Sequence, residues 1–331
     1  MTVSRRSIGK REVNPIGFGC MSLSWAYGRK PTDEEGAAIL HRALDLGYDH
    51  LDTARLYGMG HNEELLGKSL KGLRERFYLA SKTGIFVEGD KRWVDCRPQT
   101  LRTALEASLK TLQTDYIDLY YLHRHDYDTP VEESVGALGD LIREGKIGGI
   151  GLSEVSAATL RRAAKEHHIT AVQNEYSLWT RNPELGVLEA CRELGTTFVA
   201  FSPLGRGVLT GTIQDTAEFA ENDFRASMPR FSDENWPHNR ELVHVFAKMA
   251  EAEGVTPAQL ALAWVLSRGE HVVAIPGTGR MQHLEENIAR WDYQPSPVEL
   301  QRLDALINQS TVRGHRYSHA LRANIDTEEF A

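Results

Sequence analysis

Three strand-like runs of this 331-residue sequence end on a titratable side chain: Asp52 in LDTARLYG, Lys82 in LASKTG and His123 in LYYLH. Tyr57 follows Asp52 in the same loop. A tyrosine has an ordinary pKa of about 10 and becomes a useful proton donor near neutral pH when a nearby cation stabilises its phenolate, a task that suits Lys82. Asp52 would hold that lysine, and His123 would offer a second hydrogen-bond donor. Together the four types suit protonation of an alkoxide developing on a carbonyl oxygen. Each has a plain alternative when taken singly. Asp52 could cap a helix, Tyr57 could pack under a loop, Lys82 could pair with Asp52 for structure, and His123 could be a satisfied core histidine. Their convergence at strand ends favours chemistry, because perturbable groups gather at such sites.

The elements that must position them alternate in type. Runs at 16–23, 48–53, 77–82, 117–123, 147–153, 171–176, 197–202 and 272–276 are dense in β-branched and aromatic residues, as buried parallel strands are. Between them, segments such as 34–46, 98–112, 131–144, 157–166 and 183–194 repeat Leu, Ile and Ala at helical spacing beneath a charged face. Eight such units predict an α/β fold, a (β/α)8 TIM barrel in which the catalytic groups stand at the C-terminal ends of the strands. Pro31-Thr32 and Thr256-Pro257 read as helix starts, and Gly47 and Gly195 as helix ends. No linker divides the chain, so residues 1–331 read as one domain with an insertion at 207–237 after the seventh run and a tail beyond 297.

Composition narrows the partner. The net charge is −8, from 38 Lys and Arg against 46 Asp and Glu, without a dense basic stripe, which argues against nucleic acid or anionic lipid and for a small molecule. Cys20, Cys96 and Cys191 lie far apart with no C-x-x-C pair, which fits reduced thiols in the cytoplasm. Neither an apolar leader nor a stretch long enough to span a membrane is legible.

The order Asp52, Tyr57, Lys82, His123 resembles the catalytic tetrad of the aldo-keto reductase superfamily. Segments along nearly the whole chain are similar to family segments in family order: LGYDHLDTARLYG, NEELLGKSL, GKIGGIGLSE, VQNEYSLW, FSPLGRGVLTG and IPGTGRMQHLEEN. DFRASMPRFSDEN looks like the broad-specificity microbial and plant branch. The resemblance implies NADPH-dependent reduction of an aldehyde or ketone, with NAD as a possible second cofactor. Tyr57 would be the acid, Lys82 would lower its pKa, Asp52 would orient Lys82, and His123 would position the carbonyl. It also implies cofactor contacts. Ser153, Gln173 and Asn174 would take the carboxamide, and Phe201 would stack on the nicotinamide where many relatives have tyrosine. Ser202, Pro203, Leu204, Gly205, Arg206 and Gly207 would follow the pyrophosphate. Gly277, Thr278, Arg280, Glu286 and Asn287 would hold the adenosine phosphate, with Arg280 on a 2′-phosphate. Glu154 stands where many relatives have asparagine.

Trp25, Tyr27, Trp93, Tyr127 and Trp179 fall in loops at the predicted mouth and are candidates for a substrate pocket. Phe224, Arg225, Arg230 and Phe231 of the insertion would suit a closing lid. Other motifs fail. Gly67-Lys68-Ser69 lacks the P-loop glycine five residues earlier, where Asn62 reads as a helix cap, and no metal set is legible, His315 and His319 lying in a polar tail. Two rival functions remain on the same barrel: a glycoside hydrolase using Glu154 and Glu175, and a non-catalytic or slow nucleotide-sensing module.

Overall fold

Thr32 and Thr256 each begin a helix by accepting a backbone N–H from the residue three positions on, Glu35 and Gln259, whose side chains reach back to the threonine backbone. This reciprocal cap satisfies two otherwise orphaned donors. Gly47 and Gly195 take positive φ at helix ends, as a C-terminal glycine should. The computed structural model describes residues 5–25, 27–28, 30–220, 223–318, 322 and 325–330.

Its strands are β1 (Arg6–Ile8), β2 (Arg11–Val13), β3 (Phe18–Gly19), β4 (His50–Asp52), β5 (Tyr78–Thr83), β6 (Ile85–Glu88), β7 (Lys91–Val94), β8 (Leu119–Leu122), β9 (Ile150–Ser153), β10 (Ala171–Glu175), β11 (Thr197–Phe201) and β12 (Val272–Ile275). The helices are α1 (Asp33–Asp45), α2 (His61–Ser69), α3 (Pro98–Leu112), α4 (Val131–Arg143), α5 (Ala157–Glu166), α6 (Val187–Leu194), α7 (Trp236–Ala252), α8 (Pro257–Leu266), α9 (Met281–Ala289) and α10 (Pro297–Leu306). Eight parallel strands run in the order β12-β11-β10-β9-β8-β5-β4-β3, one from each predicted run. Bridges from Ile16 to Ala274 and from Gly19 to Gly277 close the ring into a (β/α)8 barrel. The closure needs glycine. A Cβ on Gly19 would stand 2.8 Å from the Ile275 carbonyl, and one on Gly277 2.8 Å from that of Gly19.

Two antiparallel hairpins lie outside the predicted pattern. β1–β2 sends Ile8 and Val13 into the barrel interior, where they pack with Tyr78, Tyr121 and Val199 and plug the end remote from the strand C-termini. β6–β7 rises at the opposite mouth. Asn62 is not a cap: α2 starts at His61, and the buried Asn62 side chain donates to the Cys20 carbonyl and Ser24 and accepts from Thr53. His319 lies outside the described residues.

Candidate active site

Asp52 ends its strand, Lys82 is the next-to-last residue of its own, which runs on to Thr83, and His123 follows directly on a third, adjacent strand, while Tyr57 hangs over them in the turn before α2. Lys82 is fully buried, which only a counterion makes tolerable. Its Nζ meets an Asp52 carboxylate oxygen, donates to the Thr53 carbonyl at 2.9 Å and lies 3.3 Å from the Tyr57 hydroxyl. The ring of His123 stands edge-on to that of Tyr57 at 5.8 Å. Burial pushes the Tyr57 phenol up and Lys82 pulls it back, with the net direction upward. This corrects the sequence expectation that Lys82 lowers it outright: in a water-poor floor the loss of solvation is the larger effect. The phenol therefore stays protonated. For Lys82, desolvation is the largest single effect and works against the charge, but Asp52 and the Tyr57 oxygen together outweigh it and the ammonium is held above its ordinary range. Burial, and then the cations Arg124, Lys82 and Arg92, hold His123 well below the usual histidine range, so the imidazole is neutral.

Above this floor opens a cleft of about 990 Å³. Ser153, Gln173, Phe201, Ser202, Pro203, Leu204, Arg206, Gly207, Gly277, Thr278, Arg280, Glu286 and Asn287 all line it. Positive φ at Ser202 and Arg206 turns the backbone after β11 sharply along its wall, a strain of the kind found at ligand clamps. Gln173 donates to Asp52 at 2.8 Å, tying the wall to the floor.

Other expected contacts are not placed there. Asn174 is buried behind the wall, where its amide exchanges hydrogen bonds with the Val155 backbone and pins the β9–α5 connection. Gly205 packs under the turn against Trp179, which is itself buried. Arg206 borders the cleft, but its guanidinium is spent on Glu175 at 2.7 Å. Glu154 pairs with Arg316 at 2.8 Å, and Arg316 also lies 3.5 Å from Glu175. Both glutamates are sealed behind the wall by arginines, leaving no exposed acid and base pair, so the hydrolase rival has no support.

Among the aromatic candidates, Trp25 and Tyr27 face the cleft, with the Trp25 ring 6.4 Å from that of Tyr57. Trp93 and Tyr127 do not. Successive residues of the β6–β7 hairpin point to opposite sides: Val87 and its cross-strand partner Arg92 face the cleft, while Trp93 stacks on Phe86. Tyr127 stands exposed against His125. In the insertion, Phe224 and Arg225 reach Tyr27 across the mouth, Arg225 being held by Asp223. Arg230 and Phe231 instead anchor the loop from below, through Thr180 at 2.8 Å and a stack on Trp236. Arg92, Arg124 and Tyr317 also line the cleft and were not singled out from sequence. Only the position of Arg124 directly after His123 offered a signal.

The site accordingly combines a protonated phenol, a fixed cation beneath it and a neutral imidazole at one end of a long groove. At the other end, Arg280 stands without a carboxylate partner among the described residues, at the N-terminus of α9. Such an end favours a phosphate, and the left-handed turn after β11 leaves backbone accessible along the way. These features fit an extended dinucleotide. Among the described residues no group of three or more potential metal ligands occurs, and no helix is long and apolar enough to cross a membrane.

Comparison with known proteins agrees with the geometry. The family model described as aldo/keto reductase family matches residues 15–308. The NADP(+) aldo-keto reductase yakc of Schizosaccharomyces pombe is 43% identical over 325 residues, covering 96% of this chain and 95% of its own. The glycerol dehydrogenase of Gluconobacter oxydans superposes with a TM-score of 0.84 at 25% identity, over 99% of this chain and 97% of that one. An aldo/keto reductase of Klebsiella pneumoniae, solved with NADP and acetate, gives 0.72 at 30% identity over 96% and 99%.

Proposed function

Since the chain belongs to the aldo/keto reductase family, we propose that its single domain, residues 1–331, is an NADP(H)-dependent reductase of aldehydes or ketones in which Tyr57 is the general acid. The observation that carries this reading is the Asp52–Lys82–Tyr57 chain on a sealed floor. When bound, the dinucleotide supplies the hydride. The protein's own residues do the rest. Ser153 and Gln173 orient the nicotinamide end, Phe201 offers it a ring face, and Thr278, Arg280, Glu286 and Asn287 hold the adenosine end. The Tyr57 hydroxyl gives its proton to the carbonyl oxygen as negative charge develops there. Neutral His123 donates a hydrogen bond to the same oxygen and fixes its direction. Lys82 stabilises the phenolate left behind, and Asp52 keeps Lys82 charged and in place. NADP over NAD follows from the unpaired Arg280, which suits a 2′-phosphate. A reducing, cytoplasmic setting suits the three buried free thiols.

Tyr57→Phe tests the assignment. Carbonyl reduction should fall by about 10²–10⁴ while NADPH still quenches protein fluorescence, because only the proton donor is removed. Turnover near the parent rate would refute it. A sensing module would bind NADPH tightly and give no steady oxidation at 340 nm with any aldehyde.

A further inference from the structure

Arg92, Arg124, Arg206, Arg225 and Arg280 all border the cleft. Arg206 and Arg225 are neutralised by Glu175 and Asp223. The other three have no carboxylate partner among the described residues, and they stand at opposite ends. Arg280 serves the dinucleotide end. Arg92 and Arg124 stand at the tetrad end, where Arg124 follows His123 directly and Arg92 faces in from β7. Arg124 spends one nitrogen, donating to the His123 carbonyl at 2.6 Å and reaching towards Ser153 at 3.5 Å, which leaves the remaining face of its fork open. The two guanidiniums are close enough to oppose each other's charge: burial, and then Arg124, lower the pKa of Arg92. Val87, the cross-strand partner of Arg92, packs on the cluster that holds Tyr57, which sets Arg92 at the tetrad end; Arg92 is exposed, so water screens part of the repulsion, and an anion shared by the two forks relieves the rest. The nicotinamide of a reduced dinucleotide is uncharged, so the cofactor does not supply that anion at this end.

We propose that Arg92 and Arg124 form an anion subsite for the substrate, so that the enzyme prefers carbonyl compounds carrying a second, terminal anionic group, a carboxylate or phosphate, with the carbonyl at Tyr57 and His123. This rests on the reductase reading above. The anion binds outside the reacting atoms, so Arg92 and Arg124 determine specificity and take no part in proton transfer. A guanidinium fork accepts two oxygens of either group, and the length of chain between anion and carbonyl decides which substrate reaches both ends.

The test is kcat/KM at saturating NADPH for 4-oxobutanoate against its methyl ester, and for glyceraldehyde 3-phosphate against glyceraldehyde. In the parent enzyme one of the anions should exceed its neutral counterpart by about tenfold or more, the worth of one charge-assisted contact, and the excess should shrink with added salt. In Arg92→Gln that ratio should fall to about twofold, through KM more than kcat. The favoured pair tells carboxylate from phosphate. Neutral compounds reduced as well as both anions would overturn the subsite and leave the reductase standing. No reduction of any of the four would overturn the reductase reading as well. Unreactive succinate and inorganic phosphate, titrated by calorimetry onto protein saturated with NADP(+), give a readout without turnover. Binding that Arg92→Gln abolishes supports the subsite, and absence of binding by both overturns it.

Discussion

Arg316→Met should be the most destabilising single change in the wall of the cleft. Glu154 is 0% exposed and Arg316 4% exposed, so the substitution strands a carboxylate that no solvent reaches. Glu175 is better protected, because Arg206 still meets it at 2.7 Å. Breaking one buried pair from the cation side costs about 3–5 kcal/mol. For 331 residues, at about 2.1 cal/mol/K each, the unfolding entropy is about 0.7 kcal/mol/K, so Tm should drop by about 4–7 °C. Glu154→Gln should cost less, about 1–3 kcal/mol, since Arg316 keeps Glu175 at 3.5 Å and Glu329 at 3.7 Å. The double variant should recover part of the loss, giving a coupling energy of about 1 kcal/mol or more. Melting followed by circular dichroism, with urea titration of all four proteins without cofactor, measures the cycle. An Arg316→Met protein melting within about 1 °C of the parent, or strictly additive effects, would refute the reasoning.

Other expectations follow from the same structure. His50 and His123 are buried and held below the ordinary 6.5, so the unfolded chain binds protons that the native one refuses, and stability is lost as pH falls below 6.5. Each contributes a slope of up to about 1.4 kcal/mol per pH unit, and urea midpoints at pH 7.5 and 5.5 should show the decline unless acidification leaves them unchanged. Gly277→Ala places a methyl against the Gly19 carbonyl at 2.8 Å and should cost about 1–3 kcal/mol while weakening NADPH binding, both read from melting with and without cofactor. Thr256→Ala removes one half of a reciprocal cap and should cost about 0.5–2 kcal/mol by urea titration, with kcat/KM unchanged.

The barrel was legible because its strands are buried on both faces, so each run of β-branched residues announced itself, and the polar residue ending a run was already a candidate. Asp52, Lys82 and His123 were found in that way. Hairpin β6–β7 was not, because its four-residue strands are half-exposed and mixed in polarity. That omission hid Arg92 and assigned Trp93 to the wrong side. Arg206 was misjudged for another reason. Its charge is claimed by Glu175, 31 positions away, and that pair leans on Arg316 from the tail. Hydrophobic periodicity carries no information about which distant ions find each other. Asn174 was a similar case, a polar residue at a strand end whose partner is backbone. Trp25 and Tyr27, on a loop fixed close to β3, were the aromatic candidates that could be placed.

The hairpin that plugs the far end of the barrel also governs traffic. With Ile8 and Val13 filling that end, whatever reaches Tyr57 must enter and leave through the same mouth. Two reactants sharing one doorway queue. The one lying deeper arrives first and departs last, and water displaced by either exits past Trp25, Tyr27 and the insertion. Altering those loops should change dwell times, whereas altering the plug should change how long the folded barrel survives.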